Sequence, residues 1–120
     1  IADYVYRELS SVGVYCQRPQ GGFYMICDFS NIPNIANKFN DDKTLCQTIL
    51  NEVGFAMLPG SDFGLKDDEL LSRIAFVDFD GAEALKFIEN DDFSSNHLLD
   101  IICPQIVKGV SLLKEWLKNQ

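Results

Sequence analysis

Basic residues are scarce: Lys and Arg total 10 against 18 Asp and Glu, for a net charge of −8. A surface of that sign repels a phosphate backbone, and the cations form no stripe, which argues against nucleic acid as a partner. Long apolar runs are also missing. None approaches the ~20 residues a helix needs to cross a bilayer, which argues against a membrane protein, and no signal-peptide pattern opens the chain. Histidine occurs once, as His97 in a polar stretch without neighbouring ligands, a poor setting for catalysis or metal binding. The four cysteines, Cys16, Cys27, Cys46 and Cys103, contain no close pair, whereas zinc sites usually declare themselves by such spacing. Three lie in apolar surroundings and are expected to be buried free thiols in a reducing cytosol. Neither acidic run, Asp67-Asp68-Glu69 or Asp91-Asp92, has the alternating oxygen ligands and closing glutamate of a calcium loop. No metal site is expected, and no internal repeat or low-complexity segment is present.

What remains is an ordinary globular composition, 47% apolar and 23% charged over 120 residues. That length fits one domain, residues 1–120, with a modest core. The chain opens on Ile1 instead of Met, straight into a helical pattern, as a segment from inside a longer protein or one with a processed N-terminus would. Tyr4, Val5, Leu9 and Val12 recur at helical spacing and predict a helix over Ala2–Val12 capped by Gly13. Val14–Gln17 and Phe23–Phe29 have strand composition and flank the turn-rich Arg18-Pro19-Gln20-Gly21-Gly22, which predicts a hairpin. Gly22 is expected to allow close backbone approach there. Residues 30–41 are polar and suit a loop with a helical turn. Asp42–Val53 is the clearest helix, with Leu45, Cys46, Ile49, Leu50 and Val53 on one face, Asp41 as N-cap and Gly54 at its end. Strands are expected over Phe55–Leu58 and Leu70–Val77, with a loop from Pro59 to Asp68 between them. A helix is expected from Asp80-Gly81 to Glu89, a linker over 90–96, and a last helix over most of 97–118. In that helix Ile106, Val107, Val110, Leu113 and Leu117 form one stripe, and Pro104 either starts the main body or kinks it. This order calls for an α/β (α+β) sandwich: a small mixed sheet of three to four strands packed against helices.

Three segments carry a resemblance. Pro19-Gln20-Gly21-Gly22-Phe23-Tyr24 is similar to the P-x-G-G-F-Y entry to a small-domain strand in class I/II, fold-type I aminotransferases. The run from Leu50 to Gly64, LNEVGFAMLPGSDFG, resembles the L-x-E-x-G-V-x-x-x-P-G-x-x-F-G helix, strand and loop of that family. Ser72-Arg73-Ile74-Ala75-Phe76 resembles the x-R-I-x-F strand that follows. Pairs of Gly-Gly or Pro-Gly mark turns everywhere, so the weight lies in their order and separation over residues 19–90.

The resemblance implies the C-terminal small domain of a longer enzyme that moves an amino group between an amino acid and a 2-oxo acid. It also implies pyridoxal 5'-phosphate as cofactor, a homodimeric parent and a cytoplasmic location. In the family the arginine of the R-I strand binds the substrate α-carboxylate, a position held here by Arg73. A guanidinium suits that task because its planar donors match a carboxylate bidentately and it stays charged. Without the motif, an exposed strand arginine beside an Asp or Glu is the plainer reading. The segment Pro59, Gly60, Phe63 and Gly64 is similar to a family loop near the substrate channel, where Phe63 either helps exclude water or simply anchors a turn. Phe23 and Tyr24 are expected in the core. The cofactor lysine, phosphate cradle and pyridine-nitrogen acid belong to the family's large domain. No catalytic residue is therefore expected in this chain, and the chain alone is expected to be inactive. Ser111-Leu112-Leu113-Lys114 has serine and lysine at a suggestive spacing but lacks the glycines that follow in the family, so Lys114 is expected to be solvated. The alternatives are another fold-type I enzyme (a lyase, decarboxylase or synthase), or a non-catalytic interaction module derived from the domain.

Overall fold

The computed structural model describes residues 2–17, 24–75 and 104–120. The expectations for Gly21, Gly22 and Phe23, the helix from residue 81, the linker at 90–96, His97 and Cys103 lie outside the described residues.

Helix α1 spans Ala2–Ser10 and buries Val5 and Leu9, one turn apart. Its end is a Schellman motif: Val14 N–H donates to Leu9 O, and Gly13 N–H to Ser10 O. Gly13 takes the left-handed conformation this requires, with φ 94°, at little steric cost. Leu9 and Val14 are both buried, which supplies the apolar contact that accompanies such caps. Strand β1 (Tyr15–Cys16) follows and pairs antiparallel with β2 (Tyr24–Asp28), as the hairpin reading requires.

Helix α2 (Pro33–Lys38) occupies the stretch expected to be mostly loop. Pro33 supplies the helical φ at its start, and Ile35 is fully buried, so one anchored turn suffices among polar neighbours. Helix α3 (Asp42–Val53) has the expected bounds, with Asp41 accepting from Thr44 N–H at 2.7 Å and Gly54 left-handed at its C-terminal end. Leu45, Cys46 and Ile49 are buried, whereas Leu50 is 43% exposed. Leu50 therefore does not belong to the core face on which its spacing put it.

Strand β3 is only Leu58–Pro59, later and shorter than the expected Phe55–Leu58. Phe55 and Met57 pack against the core instead, and Pro59 has no N–H with which to extend a ladder. Two 3-10 turns, Gly60–Phe63 and Asp67–Glu69, lead into β4 (Leu71–Ala75). Helix α4 is described over Pro104–Lys118 and buries Ile106, Val110, Leu113 and Leu117. Val107 packs partly against the same core.

The sheet order is β1-β2-β4-β3, and the described pairings are all antiparallel. Cys16, Met25, Cys27, Ser72 and Ile74 point to one face and are buried. That face meets the helices, where α1 and α3 both pack on α4. Polar ties reinforce the layer: Lys114 Nζ donates to Glu8, and Trp116 Nε1–H to Glu52 at 2.8 Å. The other face carries Tyr15, Tyr24, Ile26, Arg73 and Ala75, none of them buried. Among the described residues the expected α/β sandwich is two layers, with helices on one side of the sheet. Among the described residues, no helix is long and apolar enough to cross a membrane.

Candidate functional site

Arg73 lies at the middle of β4, an interior strand, opposite Ile26 of β2 on one side and Leu58 of β3 on the other. Strand alternation decides its direction. Ser72 and Ile74 turn inward, so Arg73 turns to the open face and is only half-buried. Its guanidinium carbon lies 5.0 Å from the centroid of the Tyr24 ring and 5.6 Å from that of Phe63. No carboxylate among the described residues pairs with it. A guanidinium with no carboxylate partner among the described residues, supported by ring faces, is suited to take an anion such as a carboxylate.

Pro59, Gly60, Phe63 and Gly64 come together as the turn beside this face. Gly60 is buried, and a Cβ there would stand 3.0 Å from both Cβ and O of Leu71, so the turn presses on β4 at a point only glycine fits. Gly64 closes the turn with φ 95°. The turn has a second anchor that sequence reasoning missed. Asp42, at the first position of α3, is fully buried and accepts from Ser61 N–H at 2.7 Å and Ser61 Oγ–H at 2.9 Å. An aspartate in the first turn of a helix looks like a dipole-favoured surface charge, so nothing in the pattern distinguishes it.

Tyr24 corrects an expectation. It is 53% exposed and lies against Arg73 instead of in the core. Asp28 on the same strand held the signal, because residues 24, 26 and 28 share a face and an outward aspartate turns the tyrosine outward as well. Phe63 is 37% exposed and its ring faces the same guanidinium.

The cysteines are buried and free at 16, 27 and 46. Distant in sequence, Cys16 and Cys27 face each other across β1 and β2 with their sulfurs 3.4 Å apart. The hydrogen bond with Cys16, then burial, pushes the Cys27 thiol far up from its ordinary range. Burial, with Asp42 and Asp62 nearby, pushes Cys46 up to about 12. Both are inert thiols at neutral pH.

The described lysines are engaged within the domain or exposed. Lys114 is held by Glu8, Lys38 donates to Gln120 Oε1, and Lys43 lies 4.0 Å from Asp62. Lys66, Lys108 and Lys118 are exposed, unlike a lysine enclosed to form a Schiff base. A groove of about 430 Å³ opens on the helical side between Val5, Phe55, Ile74, Ile106 and Val110. Apolar side chains line most of it, with Gln105 and Lys108 at its polar part, and Arg73 is not among its lining residues.

The family model for aminotransferase class I and II matches residues 2–89. The chain belongs to that family. A bifunctional aspartate aminotransferase and glutamate/aspartate-prephenate aminotransferase of Petunia hybrida is 28% identical over 80 residues, 62% of this chain and 16% of that protein. Among solved structures, an aspartate aminotransferase of Thermotoga maritima superposes with a TM-score of 0.62 at 20% identity. It covers 98% of this chain, and the match spans 22% of that one. An aromatic aminotransferase of Pyrococcus horikoshii gives a TM-score of 0.62 at 19% identity, over 98% and 24% of the two chains. These two likenesses establish the fold. The chain thus spans about a quarter or less of the aminotransferases it matches.

Proposed function

We propose that this chain is the C-terminal small domain of a pyridoxal-phosphate-dependent aminotransferase and that Arg73 receives the α-carboxylate of its amino-acid and 2-oxo-acid substrates. What carries this reading is the state of Arg73: a guanidinium on the open sheet face, unpaired with any described carboxylate and flanked by two aromatic rings. Family membership supports the class of reaction. The short fraction of the relatives' length that is matched supports the placement as one domain of a larger protein.

Lys114, Lys38 and Lys43 are each engaged within the domain, which supports assigning pyridoxal phosphate to a part of the protein outside the described residues. The role of this chain is to bind and orient. Bidentate donation from Arg73 fixes the carboxylate end of the substrate and sets the direction of the α-carbon. The Pro59–Gly64 turn, pressed on β4 through Gly60, stands beside the anion and limits water there. Closure of this domain over the substrate would bring both to the reacting centre. By the same reading the working protein is a cytoplasmic homodimer, and the chain alone neither holds cofactor nor turns over substrate.

The test is steady-state kinetics of the complete protein with L-aspartate, L-glutamate, L-alanine and L-phenylalanine as donors to 2-oxo acids. Amino-group transfer is expected with at least one pair. Arg73→Ala is expected to raise KM for both donor and acceptor about a hundredfold, as loss of a charge-assisted bidentate contact does. Unchanged kinetics in that variant would remove Arg73 from the site. No amino-group transfer with any pair would remove transamination.

A further inference from the structure

The rings around Arg73 are themselves unexplained by the core. Tyr24 is 53% and Phe63 37% exposed, so burial among the described residues does not account for two aromatics there. They reach Arg73 from opposite flanks of its strand: Tyr24 from β2, and Phe63 from the turn that follows β3. Each is held independently. Tyr24 is set by its register opposite Ala75. Phe63 is set by its turn, which the buried Asp42 carboxylate grips through Ser61.

A long, half-buried arginine with no carboxylate to hold it samples many rotamers, and ordering it opposes ligand binding; among the described residues Arg73 has no such carboxylate. A carboxylate would order it but would also occupy the donors and cancel the charge that an incoming anion needs. An aromatic face attracts the cation through its quadrupole while offering no lone-pair acceptor of ordinary strength. We propose that Tyr24 and Phe63 are positioning residues that hold the Arg73 guanidinium in place with its N–H donors free for an organic carboxylate. This rests on the reading of Arg73 as the carboxylate ligand. Asp42 and Ser61 stand one step further back, fixing the ring from the β3 side.

The experiment uses the complete, cofactor-loaded protein and the amino-acid donor with the highest kcat/KM in the four-member panel above. Tyr24→Leu and Phe63→Leu keep apolar bulk and remove the ring. Each is expected to raise KM about two- to fivefold with kcat within about twofold, the size of a partly exposed cation–π contact. Tyr24→Phe, which keeps the ring, is expected to restore the parental KM. In an Arg73→Ala background the leucine changes are expected to add nothing, because they act through the arginine. A normal KM in both leucine variants, while Arg73→Ala still raises it, overturns the positioning role and leaves the arginine reading standing. A further rise on top of Arg73→Ala makes the rings direct substrate contacts and equally overturns it. Unchanged KM in Arg73→Ala itself overturns the arginine reading and this one together. Melting temperatures measured alongside separate misfolding from these outcomes, and Tyr24→Met and Phe63→Met repeat the test should a leucine variant fail to fold.

Discussion

The two faces of the β1-β2-β4-β3 sheet are built from alternate residues of the same strands, yet they are different materials. The inward residues Met25, Cys27, Ser72 and Ile74 are almost wholly sealed under helices. Their outward neighbours Tyr24, Ile26, Arg73 and Ala75 are not. Inside, the packing is mutual: α1 and α3 meet α4, and the described buried side-chain nitrogens and oxygens all have partners. Outside, a guanidinium stands without a described counter-charge. One face holds the fold together, and the other is the face we propose meets the substrate. The strand period of two residues lets a single five-residue strand serve both.

The sharpest way to test that division is to strike each face once. Leu113→Ala, in the fully buried stripe of α4, is expected to cost about 3 kcal/mol of stability, as core truncations to alanine do. Below its lowered melting temperature, the complete protein should keep its KM. Arg73→Ala is expected to do the opposite: about a hundredfold in KM and a melting temperature within a degree or two of the parent by calorimetry. If Arg73→Ala also unfolds the protein, the open face is structural and the division fails.

Asp42→Ala is the change that crosses between the faces. It belongs to the helical layer but grips the turn that carries Phe63. Leaving Ser61 N–H without its acceptor is expected to cost about 1–3 kcal/mol, read by denaturant unfolding, together with a small rise in KM. A stability loss with unchanged KM would show that the turn does not need this anchor to keep its ring in place.

The smallest effect is expected at Asp41, which touches neither face. Its backbone hydrogen bond from Thr44 N–H, then that from the Thr44 hydroxyl, holds the carboxyl below its ordinary value of 3.8. A carboxylate with a depressed folded-state pKa contributes stability above the unfolded value and loses it as pH falls through the folded one. Asp41→Ala should therefore lower the melting temperature by only ~2–6 °C at pH 7. The gap from the parent should close as pH drops below 3.8. A gap of equal size at acid pH would mean that the charge contributes nothing to the cap.

Much of this molecule follows from local chemistry. The bounds of α3 are legible because Asp41 and Gly54 are end signals that act within one turn, and the α1 cap because Leu9, Gly13 and Val14 fulfil one short motif. The stripe of α4 is legible from its spacing. The motif around Arg73 pointed to the residue itself. Where expectation and structure part, the deciding partner is far away in sequence. Leu50 has the right spacing for the core but projects beyond its edge. Phe55 and Met57 have strand composition but are drawn into the helical layer.

By itself, then, the sequence determined α1, α3, the stripe of α4, the α/β class and the family, and it singled out Arg73 as the candidate, since each depends on contacts within a few residues or on an ordered run of motifs. Only the tertiary structure decided what surrounds that arginine. Tyr24 lies 49 positions before it and Phe63 ten, and the strand order β1-β2-β4-β3 brings the two rings to it from opposite sides. The same applies to Asp42 and Ser61, and to the thiols of Cys16 and Cys27. Strand register and turn packing are collective outcomes of burying one face of the sheet, and no local pattern encodes which side chains that leaves together on the other.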